Sequence, residues 1–431
     1  MKLLIYSDQL SSRLTYTVDL IFSQLLGIPY ELTNNRAEFE SAQAARLNYS
    51  NHEYSGTLQI VPNGLLFEEH IESRSTKTAK AWYGVPTILL EADTHFDPLG
   101  MTFYLVSRYE EYGHFTPDAH QRFPAEASCL VRHDLIFKPL VNLWALRLHD
   151  VLHDRFPGIT SNPREFEFRS TIDIDQAWKY RYKGMLRSVG GITRDILNRD
   201  WSLVKQRISV QMGNAQDPFY NFDWQEELHQ HYQIDATYFI HVGKRGEFDK
   251  STSINHPQMK RLIKRLLGVA KVGIHPSYQS NFQPDLVAFE KEELARVADQ
   301  TITVSRQHFL MHKMPETYRT VIDAGIKEEH TMGYTTHMGF RAGIAAPFHF
   351  FDLKLNQATD LVLVPFCAMD ITPLHYEQKT PEEAIERIKD LLWEVQNVGG
   401  LFVSLWHNES LSEDGRWKGW RKVYEALIGM V

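Results

Sequence analysis

A chain of 431 residues, 43% hydrophobic and 23% charged, has the make-up of a folded globular protein and is too long for one ordinary core, so two domains are expected. The formal net charge of −8 excludes a general nucleic-acid binder, whose footprint would be basic. Two cysteines, Cys129 and Cys367, exclude a disulfide framework, no stretch approaches a membrane span, and the apolar run at the start is too short for a secretion signal, so a cytoplasmic protein is expected.

Leu3 to Tyr6 reads as a strand, Leu14 to Leu26 as a helix and Ile28 to Leu32 as a second strand. No glycine-rich phosphate loop follows the first strand, which argues against a dinucleotide site. Residues 34 to 100 are mixed and turn-rich. A helix is expected from about Pro139 to Phe156, with Leu140, Trp144, Leu148 and Val151 on one face. Pro157-Gly158 and Ser161-Asn162-Pro163 then punctuate the chain. They divide it into an N-terminal α/β domain, residues 1–160, and a C-terminal domain, residues 161–431. In the first of these, Glu110-Glu111 and His133-Asp134 read as surface charge.

Past residue 163, strands alternate with helices. Strands are expected at Phe166–Asp175, Ile234–His241, Ala270–His275, Thr301–His308, Leu361–Pro365 and Leu401–His407. Helices are expected from Pro257, across Leu286–Ala298, and from Thr380-Pro381-Glu382-Glu383, a capping-box start, to Gly399-Gly400. This alternation favours a parallel sheet or barrel covered by helices.

The run Phe168-Arg-Ser-Thr-Ile-Asp-Ile-Asp175 is the most informative stretch. Alternation along a strand puts Thr171, Asp173 and Asp175 on one face. Two carboxylates there need compensation, from a metal ion or a shared proton. The alternative is a strand running into a loop whose aspartates cap the next helix. In a parallel barrel, reacting groups gather at the C-terminal strand ends. Here those ends carry Asp173 and Asp175, His275, the pair Arg306 and His308, and His407. Imidazole and carboxylate are suitable ligands for Zn²⁺.

At these residues the C-terminal half resembles the polysaccharide deacetylase family (carbohydrate esterase family 4, the NodB homology domain), in particular a bacterial branch with an added N-terminal domain. The resemblance is carried by Thr171-Ile-Asp173-Ile-Asp175, His275, Phe340-Arg341-Ala342-Gly343 and Leu405-Trp406-His407, in that order. It implies an α/β protein whose C-terminal domain is a distorted (β/α)7 barrel of NodB type, with a smaller N-terminal α/β domain. It further implies metal-dependent removal of acetyl groups from a sugar in surface-glycan biosynthesis. Carried over residue by residue, Asp173 is the general base, Asp175 and His275 are metal ligands, Arg341 pairs with the base and His407 is the general acid. A divalent ion, Zn²⁺ first, is the implied cofactor. One departure stands out: the family's second metal histidine falls at Gln279, and His308 is the replacement ligand expected here.

The implied substrate is an acetylated carbohydrate, lipid-linked or nucleotide-linked. A non-catalytic glycan-binding or scaffolding barrel and a metal-dependent glycosidase are the rival readings, the first favoured by Gln279. Asp217-Pro-Phe-Tyr220 with Trp224 reads either as sugar-stacking aromatics or as the core of an insert. Arg187, Arg194, Arg199, Lys205 and Arg207, set around Ile196, Leu197, Trp201 and Val204, read as a solvated basic face or as peripheral contact with an anionic membrane.

Overall fold

The computed structural model describes residues 1–431 and contains two parallel-rich sheets and one separate hairpin. In the N-terminal part, β1 (Leu3–Ser7), β2 (Tyr30–Thr33), β3 (Ala45–Tyr49) and β4 (Leu58–Ile60) form a parallel sheet in the order β2-β1-β3-β4. β5 (Thr76–Trp82) and β6 (Val85–Leu90) form an antiparallel hairpin, turned at Tyr83 and Gly84, which both have positive φ. The turn-rich region 34–100 therefore holds four strands. β5 is polar and mostly exposed, so it lacks the one-sided alternation that marks a half-buried strand.

The larger sheet comprises β7 (Glu167–Ile174), β8 (Ala236–His241), β9 (Lys271–His275), β10 (Val304–Ser305), β11 (Glu328–Glu329), β12 (Phe348–Asp352), β13 (Gln357–Leu363), β14 (Ala368–Met369) and β15 (Leu401–His407). Its order is β12-β13-β11-β10-β9-β8-β7-β15-β14, and only β12 runs antiparallel. β13 pairs with β11 at one side, and β14 pairs with β15 at the other. The short segment between them switches partners: Val364 donates to the Glu329 carbonyl and Cys367 to that of Val403. That switch draws the two sides together into a distorted ring of seven parallel positions, β13 and β14 sharing one. The protein is thus α/β, a small N-terminal parallel sheet joined to a larger, mostly parallel C-terminal one.

Several helices on the outside bury one apolar stripe. Pro257–Leu267 turns Met259, Leu262, Ile263 and Leu266 inward. In Pro381–Asn397, Thr380 and Glu383 complete the capping box, satisfying amides that the first helical turn leaves free. One continuous apolar cluster runs from Leu3 through Trp144 to Trp406 and Trp420, so the two sheets share a core.

Two expectations change. The strand predicted over Thr301–His308 is laddered only at Val304–Ser305, because the chain then leaves the sheet into a short turn at His308–Leu310. Glu111 is not surface charge: it is buried and pairs with both Arg108 and Arg341, while Glu110 accepts from the Cys129 amide. Opposite charges, one local and one supplied by a distant segment, make that burial possible.

Candidate metal centre

β7 lies between β15 and β8, with Asp173 in register with His407 on one side and Phe239 on the other. One strand further, His241 stands opposite His275. Because the strands are parallel, their C-terminal ends meet on one rim, where alternation has placed Thr171 and Asp173 on the same face. Both face Arg306. Its Nη1 donates to Asp173 Oδ1 at 2.8 Å and its Nη2 to Thr171 Oγ1 at 2.7 Å, while Nε donates to the His330 carbonyl at 3.0 Å. The guanidinium lies 4.5 Å from the centre of the Phe239 ring. Gly273 makes room for that ring: a Cβ there would sit 2.8 Å from it.

Asp175, His275 and His308 form a triad whose ligand atoms all lie within 4.8 Å of one another. His275 Nε2 is 3.3 Å from Asp175 Oδ1, and His308 Nε2 is 3.5 Å from Asp175 Oδ2. Two donors on one tetrahedral Zn²⁺ stand roughly 3.3 Å apart, given bonds near 2.0–2.1 Å. The proton positions suit the same role. His275 Nδ1 reaches the Arg306 carbonyl at 2.6 Å and His308 Nδ1 reaches Asp249 Oδ1 at 3.0 Å, and neither acceptor can donate. Each Nδ1 therefore carries a proton, and each Nε2 is directed to the triad, the outer support that metal-binding histidines require. Asp175 Oδ1 is buried and accepts no hydrogen bond, a position a cation satisfies. The residues present fit a divalent ion.

The electrostatics follow from this crowding. Burial alone would raise the Asp175 carboxyl, but the charge on His308 and the closeness of the His275 and His308 imidazoles hold it well below the usual range. Burial would lower His308, yet Asp175 and Asp249 push it up to about 9. A cation entering the triad must displace that proton.

His407 closes the rim. Its backbone N–H donates to Asp370 Oδ2 at 2.7 Å, and Nδ1 lies 3.0 Å from Asp370 Oδ1, which leaves Nε2 4.0 Å from Asp175 Oδ2. Burial disfavours the charged ring, but Asp370, with Asp175 and Asp173 behind it, pushes it up to about 10.

The structure thus brings together Asp173, Asp175, His275, His308 and His407, and leaves one predicted residue out. Arg341 does not meet Asp173: its Nε and Nη2 hold Glu111 at 3.0 and 2.8 Å and its Nη1 donates to the Gly333 carbonyl. The arginine that meets Asp173 is Arg306, because β10 adjoins β9 and projects its end across the barrel, whereas residues 340–343 pack against the N-terminal part. At Gln279 it is the backbone N–H that approaches the site, 3.4 Å from Asp249 Oδ2. Asp217 accepts from the Lys179, Tyr180 and Arg181 amides, and Tyr220 stacks on Trp178, so that cluster is the core of the insert.

Three further contributors went unnoticed in sequence. His241 ends a predicted strand and was accessible to the same strand-end rule. It bonds Asp249 at 2.8 Å. Asp249 lies in a turn-rich stretch with no pattern to mark it. Asp370 follows a strand of two residues, too short for any periodic signal.

A family model described as a family of unknown function (DUF7033) matches residues 3–157. No curated protein matches the chain. Among solved structures, the chain is similar to one described as a polysaccharide deacetylase from Mycobacterium smegmatis, at 14% identity over 62% of this chain and 85% of that one, with a TM-score of 0.39. It is similar to the polysaccharide deacetylase Bc1974 from Bacillus cereus at 12% identity over 61% and 85%, TM-score 0.30. A CE4 family pseudoenzyme from Bacillus anthracis aligns at 11% identity over 61% and 62%, TM-score 0.30. At these values the likenesses carry no weight in assigning an activity.

Proposed function

We propose that the barrel is a metal-dependent hydrolase that removes an acetyl group from a sugar or glycan precursor. The observation that carries this reading is the meeting, on one rim, of a carboxylate–imidazole triad, a second carboxylate outside it and a protonated imidazole. Asp175, His275 and His308 would hold the ion, and two imidazoles with one carboxylate suit Zn²⁺. A divalent ion so held supplies polarisation of the acyl carbonyl and a lowered pKa for water.

Asp173 accepts the proton of the attacking water, and the Arg306 guanidinium, 2.8 Å away, keeps that carboxylate oriented. Only one of its oxygens is committed to the arginine, so Oδ2 remains for the proton. His407, held charged by Asp370, donates through Nε2 to the departing nitrogen or oxygen of the sugar. Its Nδ1 stays on Asp370 throughout, which fixes the ring plane while the other nitrogen loses its proton.

A rival reading, a glycan-binding barrel without catalysis, draws on Gln279, which stands where the resemblance expects a metal histidine. An acetate-release screen on N- and O-acetylated sugars, nucleotide sugars and oligosaccharides separates the two. Release that stops with chelator and returns with Zn²⁺ supports the hydrolase. Protein that holds no stoichiometric metal and releases no acetate from any substrate, while an acetylated glycan binds, favours the rival.

A further inference from the structure

The helix Met185–Leu197 is packed inside out. Met185, Leu186, Val189, Ile196 and Leu197 fall within roughly 120° of its circumference at 3.6 residues per turn. In a helix on a soluble domain that stripe would face the core. Here it faces outward, with Leu186 91% exposed. The opposite face turns inward: Asp195 is 2% exposed and accepts from Arg207 Nε and Nη2 of the following helix, Trp201–Gln211, at 2.9 and 2.7 Å. Gly191, on that same inner face, allows the close approach, since a Cβ there would lie 2.5 Å from the Arg207 guanidinium. Trp201, 65% exposed, and Met212 extend the apolar surface onto the second helix. The ion pair fixes this orientation, so the exposed stripe is built in.

Charge says what covers it. Residues 181–212 hold seven Lys or Arg and two Asp, against a net charge of −8 for the whole chain. The two aspartates are occupied, Asp195 by Arg207 and Asp200 by capping the Leu203 amide. Arg187 has another cation, Arg245, for its charged neighbour. A second copy of the chain would suit this surface poorly, because a two-fold interface would bring it against an identical, equally basic surface. No helix is long and apolar enough to cross a membrane. An apolar stripe with basic flanks and a tryptophan beside it fits the plane of an anionic bilayer, with the stripe some 5–10 Å into the headgroup boundary.

We propose that the helices Met185–Leu197 and Trp201–Gln211 seat this protein on an anionic phospholipid surface. The seat adjoins the reaction rim. Lys183 and Arg187 line a cleft of about 930 Å³ that also carries Lys244 and Arg245 and reaches Asp249 and Gln279. A sugar presented at the bilayer surface therefore has a cleft, lined by both basic and acidic side chains, that leads to Asp249 beside His308. The docking itself does not depend on the hydrolase reading.

Co-sedimentation of the full chain with phosphatidylcholine vesicles, with and without phosphatidylglycerol, at low and high salt, tests it. The protein pellets with the anionic vesicles at low salt and is released by high salt. Leu186→Glu with Leu197→Glu abolishes pelleting, while the melting temperature, checked in parallel, stays at the wild-type value because both side chains are already in water. Arg199→Ser with Lys205→Ser weakens partitioning by about fivefold per residue. Wild-type protein that remains in the supernatant at low salt overturns the proposal. So does equal pelleting by the two-glutamate variant, or light scattering that shows a dimer which this variant dissolves.

Discussion

Each histidine on the rim is defined by what its second nitrogen touches. His407 has one nitrogen on Asp370 and the other free towards Asp175, so replacing it removes a proton donor and leaves buried Asp370 with the backbone N–H of residue 407. On the hydrolase reading, His407→Ala lowers the rate of acetate release by about 10²- to 10⁴-fold with metal content unchanged. Loss of bound metal in that variant, measured by elemental analysis, would make His407 a ligand instead. Asp249 stands one step behind the triad, in contact with His308 Nδ1 and His241 Nε2. Asp249→Asn keeps the shape but supplies a weaker acceptor, and metal affinity in a titration should fall by roughly 10- to 100-fold. Asp175→Asn, which removes a charged ligand, should fall further.

At the scale of elements, the rim depends on strands that are very short where they matter. β10 and β11 contribute two ladder residues each, then release Arg306 and His330 from the sheet. Glu329 ends β11 without exposure, accepting from both the amide and the hydroxyl of Thr331. Burial pushes its carboxyl up to about 7. A raised value means the folded state binds the proton more tightly than the unfolded one. Stability from this group is then full below the ordinary carboxylate range and is lost as pH rises through about 7. The cost of ionising it in place is about 3 kcal/mol. Glu329→Gln should therefore stabilise the protein above pH 7, and urea midpoints across pH 5 to 8 should be flatter than those of the wild type. A wild-type midpoint that climbs over that interval, with no difference in the variant, would contradict this.

For the whole molecule, the junction between the two sheets is the decisive feature. Glu111 from the N-terminal part bridges Arg108 and, across the chain, Arg341, whose carbonyl in turn accepts from Arg108 at 2.5 Å. Burial would raise the Glu111 carboxyl, but the two guanidiniums hold it below the ordinary range. With a depressed value, its contribution is present above the ordinary carboxylate range and is lost as pH falls below it. Glu111→Gln leaves buried Arg341 without its counter-charge and Arg108 with Glu110 alone, and a loss of about 3–5 kcal/mol is expected in denaturant unfolding. The variant should also lose part of the wild type's added acid sensitivity below about pH 4.

How far the chain could be read in advance varied with how local the cause is. Thr380 and Glu383 are three residues apart and cap their helix whatever surrounds it. The strand Leu401–His407 was legible because six of its seven residues are buried and glycines stop the helix before it. Asp173 and Asp175 sit on one face through alternation alone, and parallel strands bring His275 and His407 to the same rim. Partner choice is a different kind of fact. His308 meets Asp249 across 59 residues and His407 meets Asp370 across 37, separations that carry no periodic signal. Arg306 and Arg341 are the same side chain in sequence; only strand order decides that the first reaches Asp173 and the second Glu111. Backbone sterics and side-chain alternation act over a few residues, so the chain by itself determined its elements and the faces they present. Ion pairing and hydrogen bonding act over a few ångströms, so tertiary structure alone decided which charges met.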